Sequence, residues 1–336
     1  MGDMAEYDYD LPPEAVAQVP AEPRESARLL VAVDPDGPPE HRRVADLPDL
    51  LGPGDVLVVN ETRVRPSRLV LRKATGGRVE VLLLEPAGAP GEWDALVRPA
   101  RRVPAGTRLS PAPGAEPLVE VGGPTARDDG SRRVRLLGDV AAHALLALPP
   151  YIAAELADPE RYQTVYARTP GSVAAPTAGL HLSRAVLERC RRRGVDVRAV
   201  DLAIGPATFR PVSARRSEDH VMHAERYAVP AATLDACRAA RRVVAVGTTT
   251  VRALESAAAT GRRSGSTRLF ISEGFSFRVV DVLLTNFHLP RSSLLLLLGA
   301  FAGPAWRRLY DTALAGGYRF LSFGDAMLVG RRPPAR

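Results

Sequence analysis

The chain of 336 residues has only two cysteines and no long apolar run, and each absence excludes a class of protein. Cys190 and Cys237 lie in separate predicted helices, so the sequence builds neither a disulfide framework nor a closely spaced zinc site. The longest apolar stretch, residues 294–302, is shorter than the ~20 residues that a membrane-spanning helix needs. We therefore expect no membrane span, no resident metal and a reducing compartment.

The charge of the chain is unusual in its composition. Lys73 is the single lysine, so arginine carries nearly all of the positive charge. The formal net charge of +7 and the pI of about 9.9 permit an anionic partner such as RNA without requiring one. The N-terminal segment is acidic and has no apolar core, which argues against an ordinary signal peptide and predicts a cytoplasmic protein.

The sequence predicts an α/β fold with one inserted domain. Residues 63–149 alternate short β-rich runs with Gly, Pro and Asp about every ten residues, a pattern typical of a small antiparallel barrel. Helices and strands alternate on both sides of this block. We therefore expect residues 1–62 and 150–336 to form one discontinuous α/β domain, with residues 63–149 as the insertion. The predicted helices are 11–18, 183–193, 231–241 and 249–259, and the predicted strands that flank them include 28–33, 56–59, 195–204 and 242–246.

Two glycine-containing segments stand where a loop should meet a helix. Residues 171–181 are rich in small residues and end at His181, and they precede a helix capped by Ser183. Residues 243–246 form an apolar strand that turns at Gly247 into threonines. Free N–H groups at such a helix start suit a phosphate or carboxylate. An ordinary capped turn is the alternative for both segments, and neither a P-loop nor a G-x-G-x-x-G pattern is present.

Polar residues also interrupt apolar surroundings near two further strand ends. Asn286, His288 and Arg291 lie in one such segment, where burial without partners would cost a few kcal/mol, which favours a functional role. Asp325 follows a glycine turn and suits ligand binding, with turn capping as the alternative. His220 and His223 form an H-x-x-H pair, but without an H-E-x-x-H pattern a metal site is disfavoured.

Eight segments of the chain together form a pattern that is far more specific than any single glycine motif. They are residues 7–12 (YDYDLP), 21–24 (AEPR), 60–64 (NETRV), 162–167 (YQTVYA), 171–181 (GSVAAPTAGLH), 246–249 (VGTT), 285–290 (TNFHLP) and 324–327 (GDAM). With these segments in the same order, the chain resembles the S-adenosylmethionine:tRNA ribosyltransferase-isomerase family of queuosine biosynthesis. The resemblance covers essentially the whole chain and implies an α/β-barrel-like domain carrying an inserted antiparallel β-barrel.

The resemblance also implies a reaction. The ribosyl part of S-adenosylmethionine passes to the aminomethyl group of a 7-deazaguanine at the tRNA wobble position, giving epoxyqueuosine, adenine and methionine. S-adenosylmethionine is then a consumed substrate, and no metal or redox cofactor is required. We expect a monomer whose partners are S-adenosylmethionine and tRNA.

The chain lacks the histidine and the second glycine of the family pattern L-H-V-G-x-G-T-F, where it has Ala203 and Ala207. Ala203 replaces a histidine and Ala207 replaces a glycine. Two alternatives therefore stay open beside the tRNA enzyme. One is a divergent paralogue that acts on a free 7-deazapurine or another small acceptor, and the other is a non-catalytic tRNA- or nucleoside-binding member.

Residue roles follow from the clustering of polar and small residues at element ends, where open α/β folds bind ligands. We expect His181 and His288 to transfer protons and Asp325 to orient or bind the substrate. The predicted S-adenosylmethionine contacts are Ser172, Thr177, Gly179, Gly205, Thr208, Arg210, Gly247, Thr248, Thr249, Asn286 and Arg291. The predicted tRNA contacts are Arg63, Arg68 and Arg210, and no residue is assigned to a metal.

Overall fold

The computed structural model describes residues 3–126, 129–205, 216, 222 and 224–333. The chain forms two compact units, one of residues 1–63 with 149–336 and one of residues 64–148. These limits lie within one residue of the predicted domain limits.

The described residues contain eighteen strands and six α-helices. The strands are β1 (Arg28–Ala32), β2 (Glu40–Arg43), β3 (Asp55–Asn60), β4 (Thr62–Val64), β5 (Arg68–Lys73), β6 (Arg78–Pro86), β7 (Glu92–Arg98), β8 (Thr107–Ser110), β9 (Val119–Pro124), β10 (Arg132–Leu136), β11 (Ala144–Leu145), β12 (Thr169–Ser172), β13 (Asp196–Leu202), β14 (Glu225–Ala228), β15 (Arg242–Val246), β16 (Ser264–Thr267), β17 (Val282–Asn286) and β18 (Ala326–Gly330). The helices are α1 (Leu47–Leu50), α2 (Arg184–Arg192), α3 (Ala231–Ala239), α4 (Thr248–Thr260), α5 (Ser293–Ala302) and α6 (Ala305–Ala315).

A nine-stranded mixed sheet in the order β16-β14-β13-β3-β15-β17-β18-β1-β2 forms the centre of the larger unit. Its four middle strands, β13, β3, β15 and β17, are parallel. Their last residues are Leu202, Asn60, Val246 and Asn286, so these residues meet at one edge. The carboxyl edge of parallel strands is where open α/β sheets bind ligands.

Both faces of this sheet are buried, which explains the nearly continuous apolar runs of its middle strands. Along β3, Val56 and Val58 pack into the core on one face, which includes residues of α4, α5 and α6. Leu57 and Val59 pack on the other face with the apolar side of α2. Because successive side chains of a strand point to opposite faces of the sheet, β3 contributes residues to two separate cores.

The smaller unit is an antiparallel barrel. Its strands run in the order β5-β6-β7-β10-β9-β8, and β8 pairs back onto β5 to close the ring of six, with β11 added beside β5. Alternate residues such as Leu69, Leu71, Val79 and Val81 fill the interior. The predicted α/β class with an inserted antiparallel barrel is confirmed.

The predicted elements are largely found, with one clear exception. Helix α2 begins after Ser183, whose Oγ accepts the N–H of Val186 at 3.2 Å as an N-cap. The predicted helix 11–18 is wrong, because only the short 3₁₀ turn Pro13–Ala15 forms there. The chain around it instead pairs with Phe320, whose N–H donates to the Ala15 carbonyl at 2.7 Å. In the described part of the chain, no helix is long and apolar enough to cross a membrane.

Candidate functional site

A cleft of ≈ 600 Å³ opens at the carboxyl edge of the parallel strands. The segment before α2, the start of α4 and the end of β17 supply its walls. Six of the predicted site residues line it, namely Thr177, Gly247, Thr248, Thr249, Asn286 and His288. Apolar and hydroxyl groups complete the lining, including Tyr151, Ile204, Leu289, Leu294, Leu321 and Ser322.

Asn286, the last residue of β17, joins two walls of the cleft. Its Oδ1 accepts the hydroxyl of Thr177 at 3.0 Å, and its Nδ2 donates to Nε2 of His181 at 2.8 Å. The same Nδ2 lies 3.4 Å from the Asp325 carbonyl. Asn286 is 3% exposed, so this network is desolvated and fixes the position of the 177–181 turn against the sheet.

The start of α4 is shaped by one glycine. Gly247 has φ 85°, which L side chains rarely adopt, and it allows β15 to turn at once into the helix. Gly247 is also the N-cap residue and has no side chain with which to cap this thirteen-residue helix. Its first N–H groups and the hydroxyls of Thr248 and Thr249 therefore border the cleft at the positive end of the helix dipole.

His288 lines the cleft from the loop after β17. Its Nε2 lies 2.9 Å from the Thr285 hydroxyl, its N–H donates to the Tyr310 hydroxyl at 2.8 Å, and its carbonyl accepts the hydroxyl of Tyr9. These contacts hold both the ring and the backbone of His288 in place. His288 therefore has a fixed position in the wall of the cleft.

Both histidines are held in the neutral form. Burial lowers the pKa of His288 to about 3. Burial, with the charge of Arg319 as the next cause, lowers the pKa of His181 to about 4. Because Nε2 of His181 accepts from Asn286, the ring proton of neutral His181 is on Nδ1. His181 touches the cleft only through Asn286, whereas His288 faces it directly.

Four predicted substrate contacts support the cleft walls without lining them. Ser172 is fully buried, and its Oγ accepts the N–H of Ile204 at 2.8 Å. Gly205 donates its N–H to Glu225 at 3.1 Å, and Arg291 donates its N–H to the Tyr7 carbonyl at 2.9 Å. At Gly179 a Cβ would lie 1.9 Å from the Tyr166 hydroxyl, so the glycine is required by close packing.

Asp325 has a structural setting that differs from the predicted one. One carboxylate oxygen accepts the N–H of Arg28 and the other accepts the N–H of Arg319, each at 2.8 Å. The residue is 2% exposed and does not line the cleft. This geometry favours turn capping, the alternative noted above, over contact with a substrate.

The two predicted tRNA contacts that the structure describes are paired with acids. Arg63 lies 2.6 Å from Glu160, and Arg68 lies 2.7 Å from Glu80. Thr208 and Arg210, together with His220 and His223, lie outside the described residues. Among the residues that are described, no group of three or more His, Cys, Asp or Glu side chains is placed to hold a metal ion.

Two residues that shape the site, Tyr151 and Asn60, were not predicted as site residues from the sequence. Tyr151 lines the cleft with its hydroxyl 2.7 Å from the Ser322 hydroxyl. Asn60, at the end of β3, donates to the Thr249 hydroxyl at 3.2 Å and to the Leu202 carbonyl at 3.1 Å. The sequence signal for Asn60 was its position at the end of an apolar strand. Three other parallel strands end in the same layer.

Buried charge lies beside the same helix. Arg252 of α4 forms an ion pair with Glu225 of β14, and both side chains are more than nine-tenths buried. Arg252 also donates from Nε to the Leu269 carbonyl at 3.0 Å, while its Nη2 has no hydrogen-bond partner among the described residues. The pair therefore fixes α4 to the antiparallel edge of the sheet.

Comparisons with known proteins cover nearly the whole chain. Residues 4–329 match the family described as Queuosine biosynthesis protein. A curated relative from Thermus thermophilus, named S-adenosylmethionine:tRNA ribosyltransferase-isomerase, is 52% identical over 96% of this chain and 98% of its own length. A relative of the same name from Anaeromyxobacter is 49% identical over 98% of this chain and 99% of its own length.

A solved structure gives the same result at the level of the fold. The crystal structure of S-adenosylmethionine tRNA ribosyltransferase from Thermotoga maritima is 35% identical, with a TM-score of 0.55, over 96% of this chain and 99% of that one. The sequence and the fold agree along their full length with these proteins, and the chain belongs to the queuosine biosynthesis protein family.

Proposed function

We propose that this chain transfers and isomerises the ribosyl moiety of S-adenosylmethionine onto the aminomethyl group of a 7-deazaguanine in tRNA. The products are epoxyqueuosine-tRNA, adenine and methionine. One observation carries the proposal: six residues from three separate family motifs converge on one cleft at the carboxyl edge of the sheet. The full-length relatives carry the corresponding enzyme name.

The cleft offers complementary surfaces for the two ends of S-adenosylmethionine. The uncapped start of α4, with Thr248 and Thr249, suits the methionine carboxylate. The ring of Tyr151 and the side chains of Leu289 and Leu321 suit the adenine. Asn286 supplies an amide between these ends and has a fixed orientation.

The chemistry begins at the sulfonium, which acidifies the adjacent C5′ hydrogens. Removal of one of these protons gives an ylide, and adenine leaves from the ribose. The acceptor amine then attacks, and epoxide closure expels methionine. We assign proton transfer in the cleft to His288, because it is the histidine that lines the cleft. We assign His181 as a positioning residue that acts through Asn286.

S-adenosylmethionine is consumed in this scheme, so the proposal includes no resident cofactor. Excess chelator should leave adenine release unchanged. The reaction would take place in the cytoplasm, where tRNA is modified, and we propose a monomeric enzyme.

Ala203 is the observation that keeps a second acceptor in view. It immediately precedes Ile204, which lines the cleft, and it replaces the histidine of the family pattern. A smaller side chain there would leave room for a free 7-deazapurine or another small amine. A non-catalytic member would bind tRNA and release no adenine.

One experiment separates these functions. The purified chain is incubated with S-adenosylmethionine and with one of three acceptors: tRNA carrying the aminomethyl-deazaguanine, the same tRNA with guanine, and the free base. We expect adenine release with the first acceptor only. Release with the free base alone would favour the paralogue, and no release with any acceptor would contradict an enzymatic function. Ala203→His tests whether the missing imidazole limits the rate, which would then rise.

A further inference from the structure

A second cavity of ≈ 710 Å³ lies along helix α2 and the segment that precedes β12. We call it the α2 groove. Its polar lining consists of Arg168, Arg184, Glu188 and Arg191. Arg184, Glu188 and Arg191 occupy positions i, i+4 and i+7 of α2, so they share one face of the helix. The remaining lining residues are Val165, Tyr166, Ala167 and Leu187.

The arginines of this groove are available to an anion. Within the described part of the chain, the guanidinium groups of Arg184 and Arg191 form no ion pair. The Arg168 side chain is 82% exposed, and its ion pair with Glu61 is long, at 3.9 Å. By contrast, Arg189 and Arg193 on the other side of α2 both pair with Asp49. The groove therefore holds three arginines and a single acid, Glu188, and leaves a net positive charge there.

The groove and the catalytic cleft share one structural element. Tyr166 lines the groove, and its hydroxyl packs against Gly179 in the 177–181 turn. Thr177 and Ala178 of that same turn line the cleft. Arg184 follows the turn by three residues, directly after the Ser183 cap. A polymer bound along the groove would thus lie beside the turn that forms one wall of the cleft.

We propose that the α2 groove binds the sugar-phosphate backbone of the tRNA beside the nucleotide that is modified. This inference rests on the proposed function, since it assumes a tRNA acceptor. Arg184 and Arg191 are seven residues apart, ~10 Å along the helix, which corresponds to about three nucleotides of one strand. Arg63 and Arg68 are less suited to this role, because each is already paired with a glutamate.

The test compares two double variants with the same loss of charge. Arg184→Gln/Arg191→Gln removes the two groove cations. Arg192→Gln/Arg263→Gln removes two exposed arginines that do not line the groove and serves as the control. Dissociation constants for tRNA and for S-adenosylmethionine are measured separately at several salt concentrations, and adenine release gives KM and kcat.

We expect the groove variant to bind tRNA at least tenfold more weakly. The slope of log affinity against log salt should also fall by about 1.4–1.8, corresponding to two lost phosphate contacts. S-adenosylmethionine affinity should stay within twofold of the wild type. Arg184→Lys/Arg191→Lys should restore most of the salt slope, since lysine also binds phosphate as a point charge.

Glu188 provides a test in the opposite direction. Its carboxylate faces the same groove and repels phosphate, so Glu188→Gln should tighten tRNA binding severalfold and leave S-adenosylmethionine binding unchanged. The proposed docking surface would be overturned if the wild type modifies tRNA and both the groove variant and Glu188→Gln bind tRNA with the affinity and salt slope of the control. A wild type that neither binds nor modifies tRNA would instead overturn the proposed acceptor, and the groove assignment with it.

Discussion

Asn286 is the residue on which the geometry of the cleft depends most. It accepts from Thr177 and donates to His181, and so connects β17 to the turn on the opposite wall. Asn286 also lines the cleft that the proposed ligand would occupy, together with the start of α4.

We expect Asn286→Ala to weaken S-adenosylmethionine binding about tenfold or more, because a ligand contact and the support of the 177–181 turn are both lost. Thr248→Ala should have a smaller effect in the same direction. Calorimetry measures both affinities, with Thr312→Ala, a threonine of α6 away from the cleft, as the control. Unchanged affinity in both cleft variants would show that the ligand binds elsewhere.

The buried histidines predict a particular pH dependence of stability. The folded pKa of His181 is about 4, whereas the unfolded chain titrates near 6.5. Between these values the unfolded state binds a proton that the folded state does not, so stability falls as pH falls through this window. His288 acts in the same sense, with a folded pKa of about 3.

His181→Gln and His288→Gln should therefore lose less stability than the wild type when pH is lowered from 7 to 5. Thermal unfolding at both pH values provides the measurement. His143→Gln is the matched control, because His143 is exposed. Equal losses in all four proteins would contradict the neutral, buried state assigned to the two histidines.

Gly179 illustrates a residue whose role is packing. A methyl group there would lie 1.9 Å from the Tyr166 hydroxyl and 3.0 Å from Thr164 Cγ2. Gly179→Ala should lower the free energy of unfolding by about 1–3 kcal/mol, as expected for overpacking. Adding Tyr166→Phe removes the nearest atom and should recover part of the loss in denaturant titrations. A double variant no more stable than Gly179→Ala would count against this explanation.

At the scale of elements, helix α4 contributes to the site at two places along its length. Its first turn borders the cleft, and Arg252 in its middle is fixed by the buried ion pair with Glu225. Glu225 also accepts the N–H of Gly205, just after β13. The ion pair therefore links the cleft-forming helix to the ends of two strands.

Breaking this pair should be more costly than replacing it. Arg252→Met alone leaves Glu225 buried without its cation and should destabilise the protein by about 3–5 kcal/mol. Arg252→Met/Glu225→Gln should be destabilised less, because no unpaired charge remains buried. Urea unfolding of the two variants measures the difference. Equal stability of the two would show that the charge of Glu225 is compensated by another group.

Elements with a strong local signal could be predicted from the sequence. Helix α2 has an N-cap serine. Strand β15 is an apolar run, and a glycine turn followed by threonines leads from it into α4. All three elements were located to within one or two residues. The segment 11–18 could not be predicted in this way, because its backbone pairs with Phe320, some three hundred residues away. Local propensity carries no information on such a partner.

The site shows the same division. Motif residues at strand ends, such as Asn286 and Gly247, could be placed at a ligand cleft because parallel strands share a carboxyl edge. The setting of Asp325 could not be predicted, since the two N–H groups that occupy its carboxylate are fixed only by the folded chain. Nor could the pairing of Arg63 with Glu160, almost a hundred residues later.

At the scale of the whole molecule, the net charge does not show how many arginines are free to bind an anion. The formal charge is +7, yet many of the arginines in the described residues are paired with acids. Where a polyanion binds therefore depends on which guanidinium groups lack an acidic partner. Composition indicates the sign of the charge that a partner should carry, and the structure indicates where on the surface that partner can bind.

The central claim is that the cleft at the carboxyl edge consumes S-adenosylmethionine to modify tRNA. It is tested most directly with S-adenosylmethionine labelled in the ribose, incubated with tRNA carrying the aminomethyl-deazaguanine. We predict that the wild type places the label in tRNA and releases one adenine and one methionine for each label transferred, and that Asn286→Ala does so far more slowly at the same substrate concentration. Label that never enters tRNA, or adenine and methionine released in unequal amounts, would contradict the account.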